Sequence, residues 1–134
     1  MDNVIMYLPW PPTVNSYYST GYGKVKYVSA KGRKFRDQVA QDIAEQAPGL
    51  TYAEQLYAEI VLYPPDRRTR DLDNYLKALL DALTLAGLWA DDSQIDQLAI
   101  YRGEIAPREG LVRLEIAPAG PVVPLDARFK ARIG

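Results

Sequence analysis

Apolar and polar positions along the chain repeat with two different periods, and the points where the period changes mark the elements. Val4–Leu8 is a short apolar run halted by Pro9-Trp10-Pro11-Pro12, where proline's missing N–H and fixed φ admit neither helix nor central strand. A strand followed by a rigid loop is predicted there. Residues 13–23 are rich in Asn, Ser, Thr, Gly and Tyr and read as an exposed turn region, and Lys24–Val28 alternates charged and apolar residues as a half-buried strand does. After a capping Ser29, Phe35, Val39 and Ile43 recur every four residues up to Pro48-Gly49, which predicts an amphipathic helix over Ala30–Ala47. Leu56–Tyr63 returns to period two, with Leu56, Ala58, Ile60 and Leu62 on one face and Pro64-Pro65 as the stop. The next helix has Asp73 as its candidate N-cap, a stripe of Leu76, Leu79, Leu80 and Leu83, and Gly87 as its C′ residue. Strands near Ile95–Arg102 and Leu111–Ile116 follow, joined by the turn 103–110. Periodicity ends after Ala117, so residues 118–134 are expected as a Pro-rich extended tail with a basic end, behind a domain of residues 1–117. The order β-β-α-β-α-β-β predicts a single α+β domain: a mainly antiparallel sheet of about five strands with two helices packed on it.

Composition removes most catalytic repertoires. The 134 residues contain neither histidine nor cysteine, which excludes imidazole general bases, Ser-His-Asp relays, thiolate nucleophiles, disulfides and Cys-ligated metals. Catalysis is left to carboxylates, Lys, Arg, Tyr and hard cations. No apolar stretch approaches the ~20 residues needed to cross a bilayer, and Met1–Leu8 is too short and interrupted for a signal segment. The expectation is a cytoplasmic protein without a membrane partner.

The net charge of −1 argues, taken alone, against a nucleic-acid partner. Its distribution argues the other way. Residues 20–36 carry Lys24, Lys26, Lys31, Arg33, Lys34 and Arg36 with no acid until Asp37, and Arg67, Arg68 and Arg70 follow in one loop, whereas residues 71–96 hold Asp71, Asp73, Asp81, Asp91, Asp92 and Asp96 against the single cation Lys77. Asp71 and Asp73, two positions apart at a loop-to-helix junction, can share a divalent cation, and a return loop into a neighbouring strand can bring one of Asp91 and Asp92 to them. The same residues read equally as a helix cap, a polar turn and a solvated loop. Lys77 reads as an i, i+4 partner of Asp73 or as a group that neutralises charge on a phosphate, while Asp81 and Asp96 read as structural. Tyr17, Tyr18, Tyr22 and Tyr27 interleave with the basic block, the composition of a surface for phosphates and unstacked bases. Trp10 and Trp89 read as core or interface residues.

Arg67-Arg68-Thr69-Arg70-Asp71-Leu72-Asp73-Asn74, then Lys77, Asp81-Ala82-Leu83-Thr84, Ala86-Gly87 and Trp89-Ala90-Asp91-Asp92-Ser93-Gln94 together resemble the RusA family of Holliday-junction resolvases, common in phages and prophages. Leu8-Pro9-Trp10-Pro11-Pro12 with Asn15 and Tyr17-Tyr18, and Val28-Ser29-Ala30 with Gly32, resemble that family's opening. The resemblance covers about residues 4–116 and stops at the tail. It implies a homodimer that binds four-way DNA junctions and nicks two strands symmetrically with Mg²⁺, in recombination and repair. It places the metal-associated aspartates at Asp71, Asp73 and Asp92, with Asp91 the second choice for the third, and the active-site lysine at Lys77. Lys24, Lys26, Lys31, Arg33, Lys34, Arg67, Arg68 and Arg70 would then hold the DNA backbone. The competing expectations are a Mg²⁺ nuclease for another branched DNA and a non-catalytic junction-binding protein.

Overall fold

The computed structural model describes residues 3–21, 23 and 25–133. In chain order these form β1 (Val4–Leu8), α1 (Val14–Tyr17), β2 (Tyr18–Thr20), β3 (Lys26–Val28), α2 (Ala30–Gln46), β4 (Leu56–Tyr63), α3 (Leu76–Leu85), β5 (Ile95–Arg102), β6 (Leu111–Pro118) and α4 (Ala127–Ile133), with 3₁₀ turns at Leu72–Tyr75 and Asp92–Gln94. The main sheet has the order β1-β6-β4-β5. β6 pairs antiparallel with both β1 and β4, while β4 and β5 run parallel.

The α+β class holds, with a four-stranded sheet in place of five. The strand expected at Lys24–Val28 starts at Lys26 and pairs with β2 in a separate two-stranded ribbon. It leaves Lys26 and Tyr27 exposed, and only half-buried Val28 packs on the core. Lys24 and Tyr22 lie outside the described residues. The strands joined by the turn 103–110 do not pair with each other, because β6 carries buried Val112, Leu114 and Ile116 and takes the central place between β1 and β4. The parallel β4–β5 pair cannot be closed by a short turn, and α3 supplies the crossover it requires.

One face of the sheet is the core. Met6, Leu8, Leu56, Ala58, Ile60, Leu62, Val112, Leu114 and Ile116 alternate inward and meet Phe35, Val39 and Ile43 of α2 and Ala78, Leu79, Ala82 and Leu83 of α3. Ser29 caps α2 by accepting from the Gly32 N–H at 3.0 Å, and its hydroxyl donates to the Ser16 carbonyl at 2.6 Å. Gly32 is obligatory at this crossing, since a Cβ there would sit 2.6 Å from the Tyr17 carbonyl oxygen. α3 ends as expected at Gly87 (φ 85°). The Gly87 N–H donates to Thr84 and the Leu88 N–H to Leu83, a Schellman closure that buries Leu88. Trp89 is fully buried, its Nε1 donating to the Thr84 hydroxyl at 2.7 Å.

The tail departs from expectation at its end. After β6 it is irregular, then forms the exposed seven-residue α4, with the Asp126 carboxylate accepting from the Arg128 N–H at 2.8 Å. Two helical turns are too short to leave a readable period. Among the described residues no helix is long and apolar enough to cross a membrane.

The orientation of α3 is testable by two truncations. Leu83→Ala empties a fully buried site and should cost roughly 2–5 kcal/mol. Leu85→Ala, on the exposed side of the same helix, should change stability by less than about 0.5 kcal/mol in urea unfolding.

Candidate active site

The Arg-rich loop delivers the chain to the 3₁₀ turn Leu72–Tyr75, which feeds α3. The expected cap is not made. The residue preceding α3 is Tyr75, with no side-chain capping bond, and Asp71, preceding the 3₁₀ turn, makes none either. Both Asp71 and Asp73 are exposed, and among the described residues neither carboxylate has an ion pair or a side-chain hydrogen bond. Lys77, exposed in the first turn of α3, is likewise not paired with Asp73.

Three arginines stand next to these acids, yet the one nearest in sequence is engaged elsewhere. Arg70 turns back to Asp66 at 2.8 Å, donates to the carbonyls of Asp66 and Arg68, and lies over the Trp10 ring at 5.7 Å from its centroid. The guanidinium of Arg70 holds the Asp66 carboxyl below its ordinary range. Arg102, at the end of β5, donates to the Arg70 carbonyl. Trp10 packs on Tyr75, their ring centroids 4.8 Å apart at 54°. The Asp66–Arg70–Trp10–Tyr75 series of contacts fixes the backbone that presents Asp71.

A cleft of 640 Å³ opens beside these four residues. It is lined by the Pro9–Thr13 loop, by Lys31, Lys34 and Phe35 of α2, and by Arg68, Arg70, Asp71, Asn74 and Tyr75. A smaller adjoining hollow of 230 Å³ reaches Arg67 and Arg102. Of the cations expected on a DNA surface, Lys31, Lys34, Arg68 and Arg70 converge on the large cleft and Arg67 on the small one. Arg33 and Lys26 do not. Arg33 bonds the Val28 carbonyl at 2.7 Å, and Lys26 stands on the ribbon.

Asp91 and Asp92 lie at the other end of α3. A ten-residue helix is about 15 Å long, and the 3₁₀ turn holding Asp92 begins β5, whose far end is the one bonded to Arg70. Within one chain the return loop therefore does not bring Asp91 or Asp92 to the first pair. Among the described residues no group of three carboxylates is placed to hold a metal ion. The two acids also differ from each other. Asp91 closes a capping box, accepting from the Ser93 N–H at 3.0 Å while Gln94 bonds back to the Asp91 N–H, and the Ser93 bond is the chief reason its carboxyl is held below the usual range. Asp92 carries no ion pair among the described residues and projects from the turn as an exposed carboxylate. Asp71 and Asp73, uncapped hard-oxygen donors, fit the ligand type of Mg²⁺, which binds through one or two carboxylates with waters and phosphate.

Asp81 is structural, as expected. Its carboxylate takes Arg36 at 2.7 Å and the hydroxyl of fully buried Tyr17, which also accepts from Arg36. Asp96 accepts from Gln55 at 2.7 Å. Tyr17, Tyr18 and Tyr27 are not a shared platform: Tyr17 is core, Tyr18 packs edge-on against it, and Tyr27 is exposed on the ribbon. Sequence reading missed Asp66, Arg102 and Tyr75 as parts of the site. Only Asp66 left a signal, four residues before Arg70.

The fold and site define a small two-layer α+β protein that presents unneutralised carboxylates at the mouth of a cation-rimmed cleft. A family model described as endodeoxyribonuclease RusA matches residues 9–117. The crossover junction endodeoxyribonuclease RusA of Escherichia coli (strain K12) is 38% identical over 120 residues, covering 90% of this chain and 98% of that protein, and its counterpart from Enterobacteria phage 82 gives the same figures. The counterpart from Enterobacteria phage HK97 is 38% identical over 107 residues, 80% of this chain and 88% of its own. The chain belongs to the RusA family of endodeoxyribonucleases.

Burial, with the bond to Asp81, raises the Tyr17 phenol above its ordinary 10.0. A raised folded-state value means that the contribution of Tyr17 to stability is complete below pH 10 and declines as pH climbs through the folded value. In an alkaline titration followed by tyrosinate absorbance, Tyr17 should ionise as a late step. Tyr17→Phe should remove that late step and cost roughly 1.5–3 kcal/mol, the range for a bond to a charged partner.

Proposed function

We propose that the protein is a divalent-metal-dependent endodeoxyribonuclease that resolves four-way DNA junctions by paired, symmetric nicks, acting as a homodimer in recombination and repair with Mg²⁺ as the working ion. The observation that carries this reading is the pair Asp71 and Asp73, without a capping bond or an ion pair among the described residues while adjacent Arg70 is held by Asp66. The names of the relatives from E. coli and the two phages support the junction as substrate.

Asp71 and Asp73 would hold the metal, which when bound supplies Lewis-acid activation of a water and of the scissile phosphate. Lys77, one turn further along α3 and exposed, meets the negative charge that develops on the phosphate as the bond breaks. No side-chain nucleophile is needed. Lys31, Lys34 and Arg68 hold the backbone of the strand and offset the repulsion between phosphate and carboxylates. Asp92 takes the third position rather than Asp91, whose carboxylate is already used by its own turn. Because the length of α3 separates Asp92 from Asp71 and Asp73, the third carboxylate reaches the pair from a second copy of the chain, and a two-fold dimer creates two such sites at once.

Asp73→Asn should abolish Mg²⁺-dependent cutting of a four-way junction while leaving junction binding within a few-fold of wild type. A flap and a linear duplex assayed beside the junction, each with and without Mg²⁺, separate resolvase, general nuclease and binding protein. Retained cutting by Asp73→Asn would remove the site assignment. Binding should weaken steeply with salt, and the double variant Lys31→Ala, Lys34→Ala should flatten the log–log slope by roughly two, one for each phosphate that the lysines no longer neutralise.

A further inference from the structure

Backbone phosphates require cations and N–H groups, and a flat cationic surface serves them. The 640 Å³ cleft is neither flat nor wholly cationic. Its floor is apolar: Pro11 and Pro12 are buried, Phe35 and Tyr75 are each 6% exposed, and Trp10 stands half-buried against Tyr75. Its rim carries Lys31, Lys34 and Arg68, all exposed. Half-buried Asn74 lines it too, and its side-chain amide has no hydrogen-bond partner among the described residues. A hollow of this size matches small-ligand sites, which pair an apolar floor with a few convergent polar groups. Asp71 stands on its wall.

We infer that this cleft receives one nucleotide turned out of the base stack at the branch point of the DNA. Its base lies against the part of the Trp10 ring that Arg70 and Tyr75 leave uncovered, its flanking phosphates meet Lys31, Lys34 and Arg68, and the Asn74 amide faces the base edge. The inference rests on the nuclease reading and deepens it, by naming the part of the DNA that the site selects. Aromatic faces accept any base, and an amide carrying both donor and acceptor discriminates among them. In an open junction the base pairs at the branch point lack one stacking neighbour, and a base with less stacking to lose leaves the helix at lower cost than one inside a linear duplex. A site that acts only once a base has entered the cleft therefore favours junctions over duplex without reading duplex sequence.

The test uses full-length protein in single-turnover cutting of four-way junctions in which an abasic nucleotide is moved one position at a time around the cut. At one position, removal of the base should slow the wild type about tenfold, within the range of one base–aromatic stack. Trp10→Ala should slow the intact junction by a similar factor and slow that one abasic junction no further, because both changes remove the same stacking interaction, whereas at other positions the two effects multiply. Junction affinity without metal should stay within about threefold, since backbone phosphates carry it. If Trp10→Ala does not give a cooperative melt, Trp10→Leu, which keeps apolar volume without a stacking face, and Asn74→Ala are compared in the same way. Effects that multiply at every position, or a wild type indifferent to every abasic site while still cutting with Mg²⁺, overturn the pocket and leave the nuclease reading standing. A wild type that cuts no junction overturns the nuclease reading instead.

Discussion

Parallel pairing of β4 with β5 obliges the chain to travel the whole length of the sheet between them, since two strands running the same way cannot be joined by a tight turn. α3 is that passage. Its position explains why the acidic residues, which look like one cluster in the sequence, are two: Asp71 and Asp73 enter the helix at one end of the sheet and Asp91 and Asp92 leave it at the other. Within one chain, therefore, no three of these carboxylates come together among the described residues.

Around the first pair the polar groups are arranged to keep two carboxylates unneutralised beside several guanidinium groups. Arg70 would be expected to pair with Asp71 or Asp73. It is instead turned back onto Asp66 and over Trp10, with its backbone held by Arg102. Arg70 is thereby withdrawn from the two acids, and Lys31, Lys34 and Arg68 line the cleft beside Asp71. The Tyr17–Arg36–Asp81 group shows the contrasting solution inside the same protein: there an aspartate is fully partnered, and it serves packing between α1, α2 and α3.

The formal charge of −1 therefore says little about partners. From the separate sequence blocks the fold brings Lys31, Lys34 and Arg68 to the same cleft as Asp71, where local arrangement and not the total charge governs what can bind. The apolar floor between them adds a second kind of recognition, because aromatic and proline surface in the middle of a cationic rim suits a base and has no use for a phosphate.

The elements were largely legible, since burial on one sheet face imposes alternation on β1, β4 and β6 and a 3.6-residue stripe on α2 and α3. The Ser29 cap and the Gly87 closure were legible for a similar reason, being local backbone chemistry. β3 was legible as a strand, but its ribbon partner β2 and α4 were not, as short segments carry no readable burial period. Residue types alone determined that any chemistry must use oxygen ligands and amines, and the spaced aspartates and arginines marked the family. Only the tertiary structure decided which cations face the cleft, that Trp10 and Tyr75 rather than the tyrosines near the basic block form its floor, and that Asp92 lies a helix length from Asp71. Those are distances between residues remote in sequence, set by strand order and crossover direction, which the packing of the whole sheet determines and no local pattern records.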